Sequence, residues 1–230
     1  LPLSLAFCSA GFSVIGFDVD ASKVSLLSKG DSYIKHIPAA GIKEHADTGL
    51  LCATADFTRI KDVDVVVICV PTPLNNNREP DLSYVESTAE TIAENCVAGQ
   101  LVVLESSTYP GTTDDVLVKA FADKGYEDGK DIYLAYSPER EDPSNPDFTT
   151  RTIPKVVGAN NDKARSLSVS LYTQIIDKVV PVSTSATAEA VKLTENIFRS
   201  VNIALVNELK VIYDQMGIDV WEVIEAASTK

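Results

Sequence analysis

Short aliphatic runs alternate along this chain with longer segments in which apolar positions return at helical spacing. Val63–Val70 is the most apolar short run, nearly continuous and β-branched. That pattern predicts a strand buried on both faces. Ser13–Phe17, Leu51–Ala55, Leu101–Leu104, Ile132–Ala135, Lys155–Val157 and Val179–Val182 predict further strands. Helical patterns cover Leu1–Ala10, Ala21–Ser28, Ser83–Asn95, Thr113–Lys124 and Asp162–Gln174. Gly11 and Gly30 stand where helix ends call for glycine. Ser83 with Glu86 makes a capping box, and Thr112 is the expected N-cap of the helix after it. Asp31–Gly49 is mixed and polar, and reads as loop with a short helix. Alternation of this kind predicts an α/β fold: a Rossmann-like, doubly wound, mostly parallel sheet over residues 1–182.

From Ser185 the rhythm changes. Val191, Ile197, Phe198, Val201, Leu205, Leu209 and Ile212 keep helical spacing for about eight turns. Met216-Gly217-Ile218-Asp219 breaks this helix, and Val220–Ala227 starts another. Residues 183–230 are therefore expected to form a long central helix that connects domains or builds a dimer core.

Composition narrows the partners. A net charge of −13 argues against nucleic acid and against an anionic membrane surface. No apolar run reaches roughly 18 residues, the length that spans a bilayer. Leu1–Phe7 lacks the basic start of a signal peptide. The four cysteines, Cys8, Cys52, Cys69 and Cys96, form no C-x-x-C pair and read as reduced thiols of a cytoplasmic protein. Two histidines make a His-rich zinc site improbable, and no metal is expected.

Candidate chemistry sits at predicted strand ends. Asp18 ends what is expected to be the second strand of a dinucleotide fold whose first strand is missing here, where a carboxylate holds the adenosine ribose hydroxyls and repels a 2′-phosphate, favouring NAD over NADP. The alternative is a surface Asp that caps the following helix. Lys23 flanks it. Val70-Pro71-Thr72-Pro73 makes a stiff loop after the strongest strand, suited to a wall along the cofactor. Glu105-Ser106-Ser107-Thr108 ends the next strand, with Thr108 the candidate hydroxyl. Glu139, in Ser137-Pro138-Glu139-Arg140-Glu141, is a candidate general base. Lys192, Asn196 and Arg199 form one helical stripe, able to hold an oxyanion or simply to face solvent.

Taken together these motifs are more specific. Ser137-Pro138-Glu139-Arg140, Ile153-Pro154-Lys155-Val156-Val157-Gly158 and Lys192-Leu193-Thr194-Glu195-Asn196 resemble the UDP-glucose/GDP-mannose dehydrogenase family over essentially the whole chain. Asn196–Glu208 is similar to the bacterial UDP-N-acetylglucosamine 6-dehydrogenase branch. The resemblance implies oxidation of a UDP-sugar C6 alcohol to a carboxylate by two NAD-dependent hydride transfers, through a thiohemiacetal and a thioester on a cysteine. It gives Thr108 a place near the reacting water and nicotinamide. It makes Glu139 the base for hydrolysis, and Lys192 and Asn196 the holders of the C6 oxygen. Arg140, Glu141 and Arg199 join them on the substrate, and Asp18, Lys23, Val70, Pro71 and Thr72 line the cofactor.

The resemblance also sets three departures. The family's glycine-rich turn precedes the position of Leu1, and its Gly-Gly-His-Cys nucleophile follows the last residue here. None of the four cysteines is expected to replace that nucleophile; Cys69 is placed inside a strand. The second glutamate of UDP-glucose enzymes is Pro143 in this chain. The expected protein is a homodimer or higher homo-oligomer through the long helix, cytoplasmic, with a UDP-sugar as substrate. Residues 1–230 alone are expected to be inactive. Two other readings are a β-hydroxyacid or 6-phosphogluconate-type dehydrogenase, which needs no cysteine, and a non-catalytic dimerisation or nucleotide-binding module.

Overall fold

The computed structural model describes residues 1–35, 37–140 and 150–229. It forms two compact units, Leu1–Glu189 and Ala190–Lys230.

The first unit alternates as expected: α1 (Pro2–Ser9), β1 (Val14–Phe17), α2 (Ala21–Ser28), α3 (Ala39–Asp47), β2 (Leu51–Thr54), β3 (Val65–Ile68), α4 (Ser83–Asn95), β4 (Leu101–Leu104), α5 (Lys119–Asp123), β5 (Tyr133–Tyr136), β6 (Lys155–Gly158), α6 (Asp162–Tyr172) and β7 (Val179–Val182). Pro2 suits the first turn of α1, where its missing N–H costs nothing, and Gly11 turns the chain away at φ 91°. β1 and β2 pair in parallel as one ribbon, with Val14 opposite Leu51. The other five strands form a sheet in the order β3-β4-β5-β6-β7. β3, β4 and β5 run parallel, β6 runs antiparallel to β5, and β7 parallel to β6.

The core lies on β4. All of Leu101–Leu104 is buried, and each such side chain contributes roughly 1.5–3 kcal/mol relative to exposure. Leu101 and Val103 point to one face, as alternate strand residues must. There they meet Phe7 of α1, Ala135, Val157 and Tyr172 of α6. Val14 of the ribbon and Val65 of the sheet both pack on this cluster, and Val14 also packs on a second cluster formed by Cys8, Ile42 and Leu51.

The second unit continues α7 (Ser185–Gln215), which is 31 residues long, or about 46 Å. It ends with α8 (Val220–Ala227), whose N-cap Asp219 accepts the Trp221 N–H at 2.9 Å. Ile197, Phe198, Val201, Leu205 and Ile212 are exposed along α7.

Several local expectations are corrected. β3 is shorter than Val63–Val70 and of its residues only Ile68 is buried, since among the described residues β3 is hydrogen-bonded to β4 alone. Cys69 therefore lies just past the strand, and it is exposed. Ser83 does not cap α4. The helix begins at that residue, and the Asp81 carboxylate accepts the Ser83 N–H at 3.0 Å, a charge-assisted bond that a hydroxyl does not match. The segment Thr113–Lys124 is two pieces, a π-helical turn over Thr113–Val118 and then α5. Thr112 sits in helical geometry and sends its hydroxyl to the Tyr109 carbonyl at 2.7 Å rather than capping.

Candidate active site

Parallel strands put their carboxyl ends at one edge, where loops can converge on a ligand. The candidate residues of the first unit collect at such ends. The loop after β3 and the loop after β4 are laced together: Ser106 Oγ donates to the Val70 carbonyl at 2.7 Å, and Thr72 Oγ1 donates to the Ser107 carbonyl at 2.7 Å. Val70, Pro71 and Thr72 thus form a braced wall beside Thr108. Thr108 Oγ1 is buried and has no hydrogen-bond partner among the described residues. A buried hydroxyl left in that state is costly and marks a place where a bound group or water completes it.

Asp18 follows β1. Its Oδ1 accepts the Asp20 N–H at 2.9 Å, and its Oδ2 meets Lys23 Nζ at 3.1 Å. The helix cap is Asp20, which accepts from the Ser22 N–H and hydroxyl, so Asp18 is not spent on capping. Lys23 also stands 5.7 Å from the centre of the Tyr33 ring. The Asp18 carboxylate keeps further lone pairs beyond these two partners, and this acceptor set fits the ribose hydroxyls at the adenosine end of NAD.

Glu139 and Lys155 meet because β6 runs antiparallel to β5. The pair Tyr136–Gly158 fixes the register. Continued past Tyr136, that register sets Glu139 opposite Lys155. Lys155 Nζ stands 3.6 Å from Glu139 Oε2 and 2.9 Å from Glu105 Oε1. The Lys155 side chain is 6% exposed, Glu105 1% and Glu139 45%, so the ammonium is buried between a buried anion and an accessible one. Glu139 Oε1 accepts the Arg140 N–H at 2.7 Å, and the Arg140 guanidinium donates to the Pro154 carbonyl at 2.7 Å. The Tyr172 hydroxyl donates to Glu105 Oε1, and Lys155 Nζ lies 5.0 Å from the centre of the Tyr172 ring. Burial raises the Glu105 carboxyl above the usual carboxylate range, while Lys155 and Tyr172 pull against that rise. Burial pushes the Tyr136 phenol up to about 12, so it stays protonated and donates to the Ser106 carbonyl.

Glu105 and Lys155 were not among the site residues expected from sequence. Glu105 stood in the strand-end run with Thr108, and Lys155 in one of the motifs that carry the family resemblance, but neither pattern singled out a charged side chain for the site. Glu141 lies outside the described residues. Lys192, Asn196 and Arg199 belong to the second unit, on α7, where their helical spacing holds. Among the described residues no cluster of three or more His, Cys, Asp or Glu side chains could hold a metal ion, and no helix is long and apolar enough to cross a membrane.

The chain has relatives along its whole length. The UDP-N-acetyl-D-mannosamine dehydrogenase of Pyrococcus horikoshii is 35% identical over 230 residues, covering 100% of this chain and 55% of that protein. The UDP-N-acetyl-D-glucosamine 6-dehydrogenase of Pseudomonas aeruginosa is 33% identical, covering 100% of this chain and 54% of that protein. A solved structure of the UDP-D-ManNAc dehydrogenase from Pyrococcus horikoshii superposes with a TM-score of 0.93 at 35% identity, over 99% of this chain and 55% of that one. The chain thus spans about half the length of the curated relatives it matches. Residues 1–176 match the NAD binding domain of the UDP-glucose/GDP-mannose dehydrogenase family and residues 186–230 match its central domain, and the chain belongs to that family.

Proposed function

We propose that these residues form the cofactor-binding part of an NAD-dependent UDP-sugar 6-dehydrogenase. Its substrate is UDP-N-acetylglucosamine or a related UDP-hexosamine, oxidised at C6 to the uronate for surface-polysaccharide synthesis in the cytoplasm. The observation that carries this reading is the juxtaposition on neighbouring strand ends of an unpartnered, buried Thr108 hydroxyl and the accessible Glu139 carboxylate. The first is suited to a reacting water or the nicotinamide, the second to taking a proton from that water. NAD, when bound, accepts the hydride. Asp18 and Lys23 hold its adenosine end, and Val70, Pro71 and Thr72 wall its ribose and nicotinamide.

Lys192 and Asn196 stabilise negative charge on the C6 oxygen. Arg140, Glu141 and Arg199 contact the sugar nucleotide. The domain assignment of residues 1–182 as cofactor domain and 183–230 as connecting and dimerising helix belongs to the same proposal. None of Cys8, Cys52, Cys69 and Cys96 serves as nucleophile: Cys8 and Cys96 are buried, the Cys69 thiol is pushed up to about 12, and Cys52, although the Arg59 guanidinium donates to its sulfur at 3.8 Å, lies inside β2 rather than at a strand end. Residues 1–230 alone are therefore proposed to be inactive.

The test is an NADH assay on the full-length protein with UDP-sugars set against small hydroxy acids. Two NADH per UDP-hexosamine support the reading. Turnover of hydroxy acids without UDP-sugars overturns it, and so does steady NADH production by residues 1–230 alone.

A further inference from the structure

The Glu105–Lys155–Glu139 chain has a geometry beyond what Glu139 needs as a solvent-facing carboxylate. Its inner end is dry, with Glu105 Oε1 paired and Oε2 without a hydrogen-bond partner among the described residues. Glu105 is buried and held by the Tyr172 hydroxyl and by Lys155 at 2.9 Å. Its outer end is accessible, with Glu139 45% exposed and 3.6 Å from the same ammonium. An ammonium buried to this degree needs a full counter-charge, and Glu105 supplies it. What remains of its field falls on Glu139.

We propose that Lys155 is a positioning residue: fixed from behind by Glu105, it fixes the Glu139 carboxylate in place and holds it ionised. The inference rests on the reading of Glu139 as the base. Two consequences follow from the charges alone. Removing Lys155 leaves Glu139 near Glu105 without the ammonium, so its proton affinity rises. Neutralising Glu105 leaves the whole ammonium to Glu139, so its proton affinity falls. A part that only supported the fold would not shift a titration in opposite directions.

Among the described residues, the groups able to titrate around Glu139 are Lys155 at the start of β6, Glu105 at the end of β4, Tyr172 on α6 and Cys69 after β3, with Arg140 beside it in sequence. Burial keeps Tyr172 protonated at neutral pH, and crowding of the Cys69 sulfur by protein atoms and by the Glu105 carboxylate pushes that thiol up although the residue as a whole is exposed, so the two variants act on Glu139 through Lys155 and Glu105.

The experiment measures pH profiles of kcat/KM on the full-length protein with a UDP-hexosamine and NAD. It compares wild type, Lys155→Met, Lys155→Arg, Glu105→Gln and Glu139→Gln. In Lys155→Met the acid limb is expected to move up by about one pH unit and kcat to fall by roughly ten- to a hundredfold. Lys155→Arg restores most of both, and Glu105→Gln moves the limb down. The double variant Glu105→Gln with Lys155→Met removes both buried charges together, which keeps the fold where a single change strands one charge. It is expected to show the raised limb while retaining NAD affinity.

An acid limb unmoved in Lys155→Met and in the double variant, with Glu139→Gln inactive, overturns the positioning role and leaves Glu139 as base. Full activity in Glu139→Gln instead overturns the base reading on which the proposal rests.

Discussion

Glu189 and Thr113, 76 residues apart, are joined twice: the Glu189 carboxylate accepts the Thr113 N–H at 2.9 Å and the Thr113 hydroxyl at 2.7 Å. The same carboxylate accepts the Gly111 N–H at 2.6 Å, and Glu189 is fully buried. It does the capping that Thr112 was expected to do, from an element far along the chain. A carboxylate at the start of a helical segment is favoured by the partial positive charge of its free N–H groups. Glu189→Ala leaves two N–H groups and a hydroxyl unpaired and is expected to destabilise the protein by about 3 kcal/mol. Chemical denaturation compares it with Thr113→Val, which loses less. Equal stability of Glu189→Ala and wild type refutes the capping role.

Gly158 is where β6 passes under the start of α7. A Cβ placed there would collide with the Thr184 carbonyl and stand 2.8 Å from Ala188 Cβ. Backbone cannot retreat as a flexible side chain can. Gly158→Ala is expected to cost about 1–3 kcal/mol through strain, measured as a lower denaturation midpoint. Ala188→Gly in the same background relieves only the smaller of the two contacts, so it restores only part of the loss.

Acid stability should depend on three carboxylate caps, two of them exposed and Asp81 half-buried. Hydrogen bonds from Ser22, Thr58 and Ser83 hold the carboxyls of Asp20, Asp56 and Asp81 below the usual carboxylate range. A carboxyl with a lowered folded-state pKa contributes stability that is present above its unfolded value, about 3.9. That contribution is lost as the pH falls through the folded values. The triple change to Asn keeps good caps but removes the titrating groups. Its stability should match wild type at neutral pH and decline less below about pH 4. Thermal melts across that range provide the check.

The Asp18 proposal predicts a specific binding loss. Asp18→Ala in the full-length protein should weaken NAD by roughly ten- to a hundredfold, the value of hydrogen bonds to a charged acceptor. Calorimetric titration reads it directly. Unchanged NAD affinity in Asp18→Ala removes Asp18 from the cofactor site.

The exposed apolar stripe of α7 carries the proposal of self-association. Phe198 is 71% and Val201 60% exposed. Phe198→Asp with Val201→Asp is expected to turn a homo-oligomer into a monomer in sedimentation. A wild-type protein that sediments as a monomer at every concentration rejects the oligomer instead.

Much was legible in the chain itself, because strands and helices announce themselves through period and through breakers. The continuous run Leu101–Leu104 is a buried strand as expected, while the both-face burial expected of Val63–Val70 is met only at Ile68, and Gly11 and Gly30 turn the chain with positive φ. The apolar spacing after Ser185 is one long helix. The apolar runs also placed Asp18, Thr108 and Glu139 just past the ends of β1, β4 and β5, where the structure has them. What sequence could not supply was the direction of β6 and the partners of buried charge. Lys155–Gly158 has the same aliphatic pattern whichever way it runs, and only its antiparallel pairing with β5 sets Lys155 against Glu139. Glu105 and Glu189 look, in sequence, like ordinary acidic residues beside apolar ones. Their burial depends on an ammonium and on free N–H groups brought from distant segments. Local propensity decides which elements form, whereas the pairing of charges in a dry interior is a property of the assembled fold.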